Sequence, residues 1–436
     1  MSRVVVVGAS LGGLAVAARL ARLGHAVVVV ERSDTVGGAL AGRERDGFRW
    51  DTVPPLVTLP AALRDLFLKT GKPLESVLSL EPAEPTAHVF GTGPALEADC
   101  GAHAADDWDR VHANAARRWD TVRGPFVESA WEGRRSMRRL AMQHPRQLAR
   151  IAPWRTLRHE ADRMLRDPGQ RQLLEHYAVS AGADPRRAPA ALAVLPYVER
   201  TFRSWWVPGG LRALVDAVHD RAVLRGAVVT TGTSVTEVTT TGRRVDGVRL
   251  DDGRSLPADV VVQATDLKQR RDTSVLALLL GLRGWTPALR RHTVLFPADA
   301  EAELDALFGR RAGLVTDPTM SVFASADPTV APAGDEAWSV FVAAPGPGVV
   351  DWDAPGVAST YAGHLLDRLA DRGYDVRNRV IVSEHQVHQE PPTHRRAPMT
   401  GRVGGLFRIS GSPRRAGGIP IVTMSAAMVA DAVGRA

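Results

Sequence analysis

Six residues near the N-terminus, Gly8-Ala9-Ser10-Leu11-Gly12-Gly13, have the types and spacing to cradle a pyrophosphate. They follow four β-branched residues, Val4 to Val7, the pattern of a strand buried on both faces. An Ala/Leu/Arg-rich stretch of helical periodicity then runs to Leu23, and Gly24 ends it. A second apolar strand spans Ala26 to Val30, with Glu31 at its tip, 18 residues after Gly13. The chemistry needs this order. Glycines let the backbone approach the pyrophosphate, the helix N-terminus stabilises its charge, and the acid accepts hydrogen bonds from ribose hydroxyls. Two rival readings fail. Arg3 and the apolar run after it imitate a secretory signal, but a signal has no use for a second strand tipped by Glu31, and Arg19 and Arg22 suit a helix surface. Gly8-Ala9-Ser10-Leu11-Gly12 also matches the G-x-S-x-G elbow of serine hydrolases. That elbow sits on a sheet of earlier strands, and only Val4 to Val7 precede it here.

Other residue sets invite chemistry and lose it on spacing. His385, His388 and His394, with Glu384 and Glu390, are metal-ligating types. Their loose spacing fits a strand followed by a loop, so no metal is expected. Cys100 is the only cysteine, which excludes an intrachain disulfide and any cysteine-based metal cluster.

After Glu31-Arg32 the chain does not continue with further βα units, as a nicotinamide-binding domain would. Instead come Val36-Gly37-Gly38-Ala39, then Asp46-Gly47-Phe48-Arg49-Trp50-Asp51, then Pro54-Pro55-Leu56. Further along, Trp206-Val207-Pro208-Gly209-Gly210-Leu211 leads a helix, and Ala227 to Thr240 reads as one strand containing Val235. Val245 to Leu250, the turn Asp251-Asp252-Gly253 and a strand from Ala258 to Ala264 follow. The C-terminus carries a strand at Leu406 to Ile409, then Gly411, Gly418-Ile419-Pro420, and a helix of small residues through Val433. This order resembles the FAD-dependent amine oxidase and phytoene desaturase superfamily. Three stretches resemble bacterial carotenoid desaturases in particular: Arg291 to Phe296, Asp317-Pro318-Thr319 and Asp327 to Pro332.

The resemblance implies an FAD-dependent oxidoreductase. It puts Gly8, Ser10, Leu11, Gly12, Gly13, Glu31 and Arg32 at the phosphates and ribose, with Gly37, Gly38 and Ala39 beside them. Pro55 and Leu56 would approach the flavin, Val235 would read the adenine through its backbone, and Ala264 would end the strand that closes the cofactor domain. Gly411, Gly418, Ile419 and Pro420 would bring a helix N-terminus to the flavin pyrimidine. The implied reaction is dehydrogenation of an apolar small molecule, a polyisoprenoid or a natural-product intermediate, by hydride transfer to flavin N5. His292, Arg414 and Arg415 are the polar residues to test near the flavin. Trp131, Trp154, Trp205, Trp206, Phe296 and Phe323 are candidate lining residues, each of which suits ordinary core equally well. The chain departs from the family pattern at Ala39 (usually Arg), at Val53, Ser410 and Ile421 (usually Gly), and at Pro413-Arg414-Arg415-Ala416 (usually Thr-His-Pro-Gly). Two alternatives therefore stay open: a redox-neutral flavin isomerase of a polyene, and a non-catalytic partner that keeps the fold.

Positioning these segments takes an α/β architecture. A Rossmann-like FAD-binding domain, 1–75, 202–268 and 395–436, is expected to interleave with an α+β substrate domain, 76–201 and 269–394, built of an antiparallel sheet and a helical cap. A chain of 436 residues is long enough for both. Its 44% hydrophobic and 24% charged residues exclude collagen-like, disordered and coiled-coil classes. Arginines number 52 against three lysines, a bias that fits GC-rich bacterial coding. The longest apolar run, Val275 to Leu282, is too short to span a bilayer. The net charge of +7 is local, because nine arginines against three acids between Trp131 and Leu165 carry +6 of it. That stretch reads either as a surface for anionic membrane or as a solvated helical face. No nucleic-acid module accompanies it, so nucleic acid is not an expected partner. A cytoplasmic protein with peripheral contact on the inner face of the membrane is the expected location.

Overall fold

A computed structural model describes residues 1–91, 102–129, 134–265, 273–287, 289–390, 398–409, 411 and 418–436. In chain order, the strands of its two larger sheets are β1 (Arg3–Val7), β2 (Ala26–Val30), β3 (Ala87–Phe90), β4 (Val228–Thr230), β5 (Val260–Gln263), β6 (Thr273–Leu282), β7 (His292–Phe296), β8 (Met320–Ser325), β9 (Glu336–Pro345), β10 (Val380–Glu390) and β11 (Leu406–Arg408).

The valine runs make a parallel sheet in the order β11-β5-β1-β2-β4. Near-continuous β-branched strands need cover on both faces, and they have it. Helix α1 (Leu11–Arg22), helix Leu211–Leu224 and helix Gly418–Val433 bury one face through Leu14, Val218, Val422 and Val429. A three-stranded antiparallel sheet, Val235–Thr241, Arg244–Leu250 and Ser255–Pro257, covers the other through Val245, Val248 and Leu250. The single strand expected from Ala227 to Thr240 is therefore two strands in two sheets. Gly232, at φ +65°, turns the chain between them and donates its N–H to Ser33 O, while Thr233 N–H donates to Glu31 O. A run of β-branched residues carries no mark of such a change of sheet apart from that glycine.

The second sheet runs β10-β6-β9-β8-β7-β3, antiparallel except for the β7–β3 pair. Its central strand β6 shows the period-2 logic of a sheet covered on both sides. Leu276, Leu278 and Leu280 pack with Trp338 and with Tyr361 and Leu365 of helix Val357–Asp371. Ala277 and Leu279 face the other way, onto Phe48, Trp50 and Trp206. Gly281 is required there, because a Cβ would stand 2.7 Å from the Phe48 ring, and Trp50 Nε1–H donates to Leu280 O at 3.0 Å.

Helices between residues 102 and 202 form a separate layer with its own core of Val111, Leu157, Leu174 and Ala178. The basic stretch belongs to this layer and is less free than its charge suggests. Glu160, fully buried, receives Arg118 at 2.8 Å, Arg163 at 3.1 Å and Arg155 at 3.4 Å, while Arg158 pairs with Glu175 and Glu301. Three of the nine arginines thus hold the layer together. The rest of the patch lies on helix Arg134–Gln143 and helix Pro145–Ile151, which bury Leu140 and Ile151. Among the described residues, no helix is long and apolar enough to cross a membrane.

Candidate functional site

Strand β1 delivers the glycine-rich loop to the start of α1, where backbone geometry fixes each residue type. Gly8 has φ +101°, a region that L side chains rarely adopt. A Cβ on Gly13 would lie 2.0 Å from Gly8 O, so the loop can close on the helix only without one. Ser10 is the N-cap. Its Oγ accepts from Gly13 N–H and donates to Ala264 O at 2.9 Å, which turns the hydroxyl toward the end of β5. The first-turn amides of α1 have no intrahelical acceptor and offer the positive end of the helix dipole. Glu31 is buried at the tip of β2, with its carboxylate fixed by Ala9 N–H at 2.7 Å and Ser33 N–H at 2.9 Å. Arg32 is exposed.

The second glycine pair returns to this loop. Gly37 N–H donates to Ala9 O at 2.8 Å, and Gly37 bridges to Ser10. Gly38, exposed and at φ +57°, would bring a Cβ to 3.5 Å from the Ser10 Cβ, into the gap between the two loops. Ala39 O accepts from Thr52 Oγ1, which ties this pair to the Thr52-Val53-Pro54-Pro55-Leu56 segment. Val53 is buried among the residues that pack around α1. The C-terminal stretch arrives at the same place. A Cβ on Gly12 would meet both Ile409 and Val422 at 2.7 Å, and one on Gly411 would meet Ile421 at 2.8 Å. Gly418, Ile419 and Pro420 are buried at the start of the last helix. Val235 starts its strand just after the turn that contacts Glu31 and Ser33, and packs near Val7 and Val30. Residues distant in sequence therefore converge around the start of α1, which presents amide donors, the Glu31 carboxylate and, at Gly38, open space beside Ser10. That donor set fits a dinucleotide flavin. Arg414, Arg415, Ser410, His394 and Trp131 lie outside the described residues.

The sequence model described as "Flavin containing amine oxidoreductase" matches residues 11–288. The chain belongs to this family. It is an FAD-dependent oxidoreductase. The phytoene dehydrogenase of Streptomyces griseus is 30% identical to it across 85% of this chain and 79% of its own. The 4,4'-diapolycopene oxygenase of a Methylomonas species is 26% identical across 99% of this chain and 98% of its own. Among solved structures, putrescine oxidase bound to putrescine shares the fold, with a TM-score of 0.66 at 17% identity and 99% coverage of both chains.

Two cavities flank Phe323 in this flavin oxidoreductase. The outer cleft, about 550 Å³, is lined by Asp51, Trp206, Gly210, Arg212, Arg291 and Phe323 among others. Arg291 stacks over Trp206 at 4.3 Å. Asp51 Oδ1 accepts Leu211 N–H at 3.0 Å, and burial pushes this carboxyl up to about 7. The inner cavity, about 160 Å³, is bounded by Pro54, Leu56, His176, Tyr177, Glu199 and His292 among others. Tyr177 OH donates to Glu199 Oε2 at 2.6 Å, and burial raises the Glu199 carboxyl above its ordinary value. His292 Nδ1 meets Thr86 Oγ1 at 2.8 Å, and the ring lies flat on Phe323 at 4.1 Å. Of the expected lining residues, Phe323 borders both cavities and Trp206 the outer one. Phe296 is buried beneath them, stacked on Phe90. Trp205 lines neither; its Nε1–H donates to Phe202 O. Trp154 is 65% exposed and lines neither cavity; it follows helix Pro145–Ile151. His388 Nε2–H donates to Thr52 O at 2.8 Å, so it is occupied structurally. Sequence reasoning missed His88, His176, Tyr177 and Glu199. No motif joins them, and adjacent positions on a helix, such as His176 and Tyr177, give no signal of a shared wall.

Three outcomes are expected. Gly38→Leu fills the gap beside Ser10 and should lower FAD affinity at least about tenfold with the fold intact, read by flavin absorbance and by the circular dichroism of the apoprotein. Gly13→Ala should instead destabilise the fold. Asp51→Asn keeps the acceptor for Leu211 N–H and removes a proton-binding site. Between pH 4 and 7 the folded wild type holds a proton that the unfolded chain has lost, so its stability declines as pH rises through that window. Urea unfolding should show the variant gaining on the wild type from pH 4.5 to pH 8; a difference that is constant with pH would contradict this origin.

Proposed function

We propose that the chain dehydrogenates a predominantly apolar small molecule, a polyisoprenoid or a natural-product intermediate, in the inner cavity. The observation that carries the reading is the mostly apolar cavity beside Leu56, which joins the segment tied to the cofactor loops to a wall containing a desolvated carboxyl. Names of relatives support it: a phytoene dehydrogenase and a 4,4'-diapolycopene oxygenase both point to polyenes. In this reading, residues 1–75, 202–268 and 395–436 bind FAD, and 76–201 with 269–394 enclose the substrate. Gly8, Ser10, Leu11, Gly12, Gly13, Gly37, Gly38 and Ala39 hold the pyrophosphate, Glu31 the ribose, and the turn before Val235 the adenine. When bound, FAD supplies the two-electron oxidation, with N5 taking the hydride. Glu199 takes the proton from the neighbouring carbon. Burial makes its carboxylate a stronger base than an exposed one, and Tyr177 OH holds it in place. Val275, Phe341 and Phe323 exclude water from that step.

The purified protein should be yellow, with about one FAD per chain, and its flavin should bleach on anaerobic incubation with a true substrate. Turnover without bleaching would make it an isomerase, and protein that takes up no FAD would sink the reading altogether. Glu199→Gln should keep its FAD and slow bleaching by about 10²–10⁴-fold; an unchanged rate removes Glu199 from the chemistry.

The same reading includes peripheral contact with anionic membrane through helix Arg134–Gln143 and its neighbour. Arg135, Arg138 and Arg146 are exposed there, with Met142 78% exposed and Trp154 65% exposed beside them. The protein should float with vesicles containing anionic lipid and not with neutral ones. Binding that survives charge reversal of Arg134, Arg135, Arg138 and Arg139 would rule this out.

A further inference from the structure

The inner cavity and the outer cleft share a floor. On the face of the second sheet that carries Ala277 and Leu279, the register of β7, β8 and β9 lays side chains in rows. Val294, Ser321 and Phe341 form one row, and all three line the inner cavity. Two rows further along, Ser325 faces Ala337, and both line the outer cleft. His292, Phe323 and Ser339 make the row between them. His292 borders the inner cavity, Ser339 the outer cleft, and Phe323 both. Among the described residues, no other side chain borders both.

The opposite walls run on in the same way. Pro54 and Leu56 border the inner cavity and Pro55 the outer cleft. On strand Ser204–Trp206, Ser204 borders the first and Trp206 the second. Adjacent rows on one sheet face are ~7 Å apart, so the two spaces are consecutive lengths of one trough with the Phe323 ring at their junction. That ring is buried and braced from both sides. It lies flat on His292 with centroids 4.1 Å apart, and edge-on to Phe341 at 5.6 Å and to Trp206 at 6.0 Å. Arg291 backs Trp206 from 4.3 Å. A strand residue held this way moves aside only by giving up those aromatic contacts.

We propose that Phe323 sets the length of the substrate: its ring is a fixed partition that closes the inner cavity against the outer cleft. This rests on the reading of the inner cavity as the substrate site. The cavity alone, about 160 Å³, is close in size to engineered cavities that hold benzene. A polyisoprenoid would have to continue into the outer cleft, which offers about 550 Å³, and the ring stands across that route. Of a polyisoprenoid and a compact natural-product intermediate, the partition admits the second.

The test titrates the FAD-loaded protein with straight-chain primary alcohols from butanol to dodecanol, read by calorimetry. Wild-type affinity should climb about fourfold per methylene and then level off once the chain meets the ring. Phe323→Ala should move that break outward by about three carbons or more, since the next row of the sheet lies ~7 Å on. Phe323→Leu, closer in volume, should move it less and serves where the alanine variant does not fold. A wild type that binds none of the series, or whose affinity keeps climbing to dodecanol, overturns the proposal. So does a break that stays in place in a folded variant. Calorimetry reads the break with or without flavin, so protein that takes up no FAD fails the functional reading while the same titration still decides the partition.

Discussion

The close approach of α1 to the strands and helices around it is the constraint on which the rest of the molecule depends. Ten of its twelve residues are buried, and its first turn touches backbone or side chains from three parts of the chain. Gly13 stands against Gly8, Gly12 against Ile409 and Val422, and Ser10 against Ala264 and Gly37. A single methyl at Gly12 or Gly13 would push these apart by more than packed interiors tolerate. Once the helix is seated this way, its N-terminus necessarily sits beside Gly38 and the Glu31 carboxylate. That arrangement follows from how the core packs.

That seating accounts for three of the departures from the family pattern, those at Ala39, Val53 and Ile421. Val53 is buried among the residues around α1. Ile421 occupies the space that Gly411 leaves free, so one position gained a side chain where the other has none. Ala39 gives up a cation but keeps its carbonyl in the bond from Thr52 that ties the two loops together. Among the described residues, these three changes are accommodated by packing or by a backbone hydrogen bond.

The cofactor loops were legible from sequence because their determinants are local. A valine run, a glycine loop, a small-residue helix and a terminal acid each leave a mark within a few residues, and their order carried the cofactor. The inner cavity left no such mark. His176 and Tyr177 lie on one helix, Glu199 on the next, Thr86 precedes one edge strand and His292 begins its neighbour. They meet only because β3 and β7 pair in parallel at the sheet edge and the helical layer packs over them. Nothing in the spacing of these residues predicts that pairing. The strand expected across Ala227 to Thr240 failed for a related reason, since changing sheets at Gly232 depends on what lies above and below.

Where the cavity sits also decides how its polar groups behave. In water, three histidines, a tyrosine and a glutamate would form a charged, exchanging cluster. Here burial moves every one of them toward its neutral form: the histidines down, the carboxyl and the phenol up. Neutral imidazoles hydrogen-bond without adding a field that would oppose a departing hydride. Burial makes the Glu199 carboxylate the stronger base by raising its pKa above the ordinary value. Phe323, which lines this space, and Phe296, buried beneath it, are the rings against which His292 and His176 rest. Dryness, orientation and proton affinity therefore come from one set of contacts, and a substitution at Phe323 would disturb all three together.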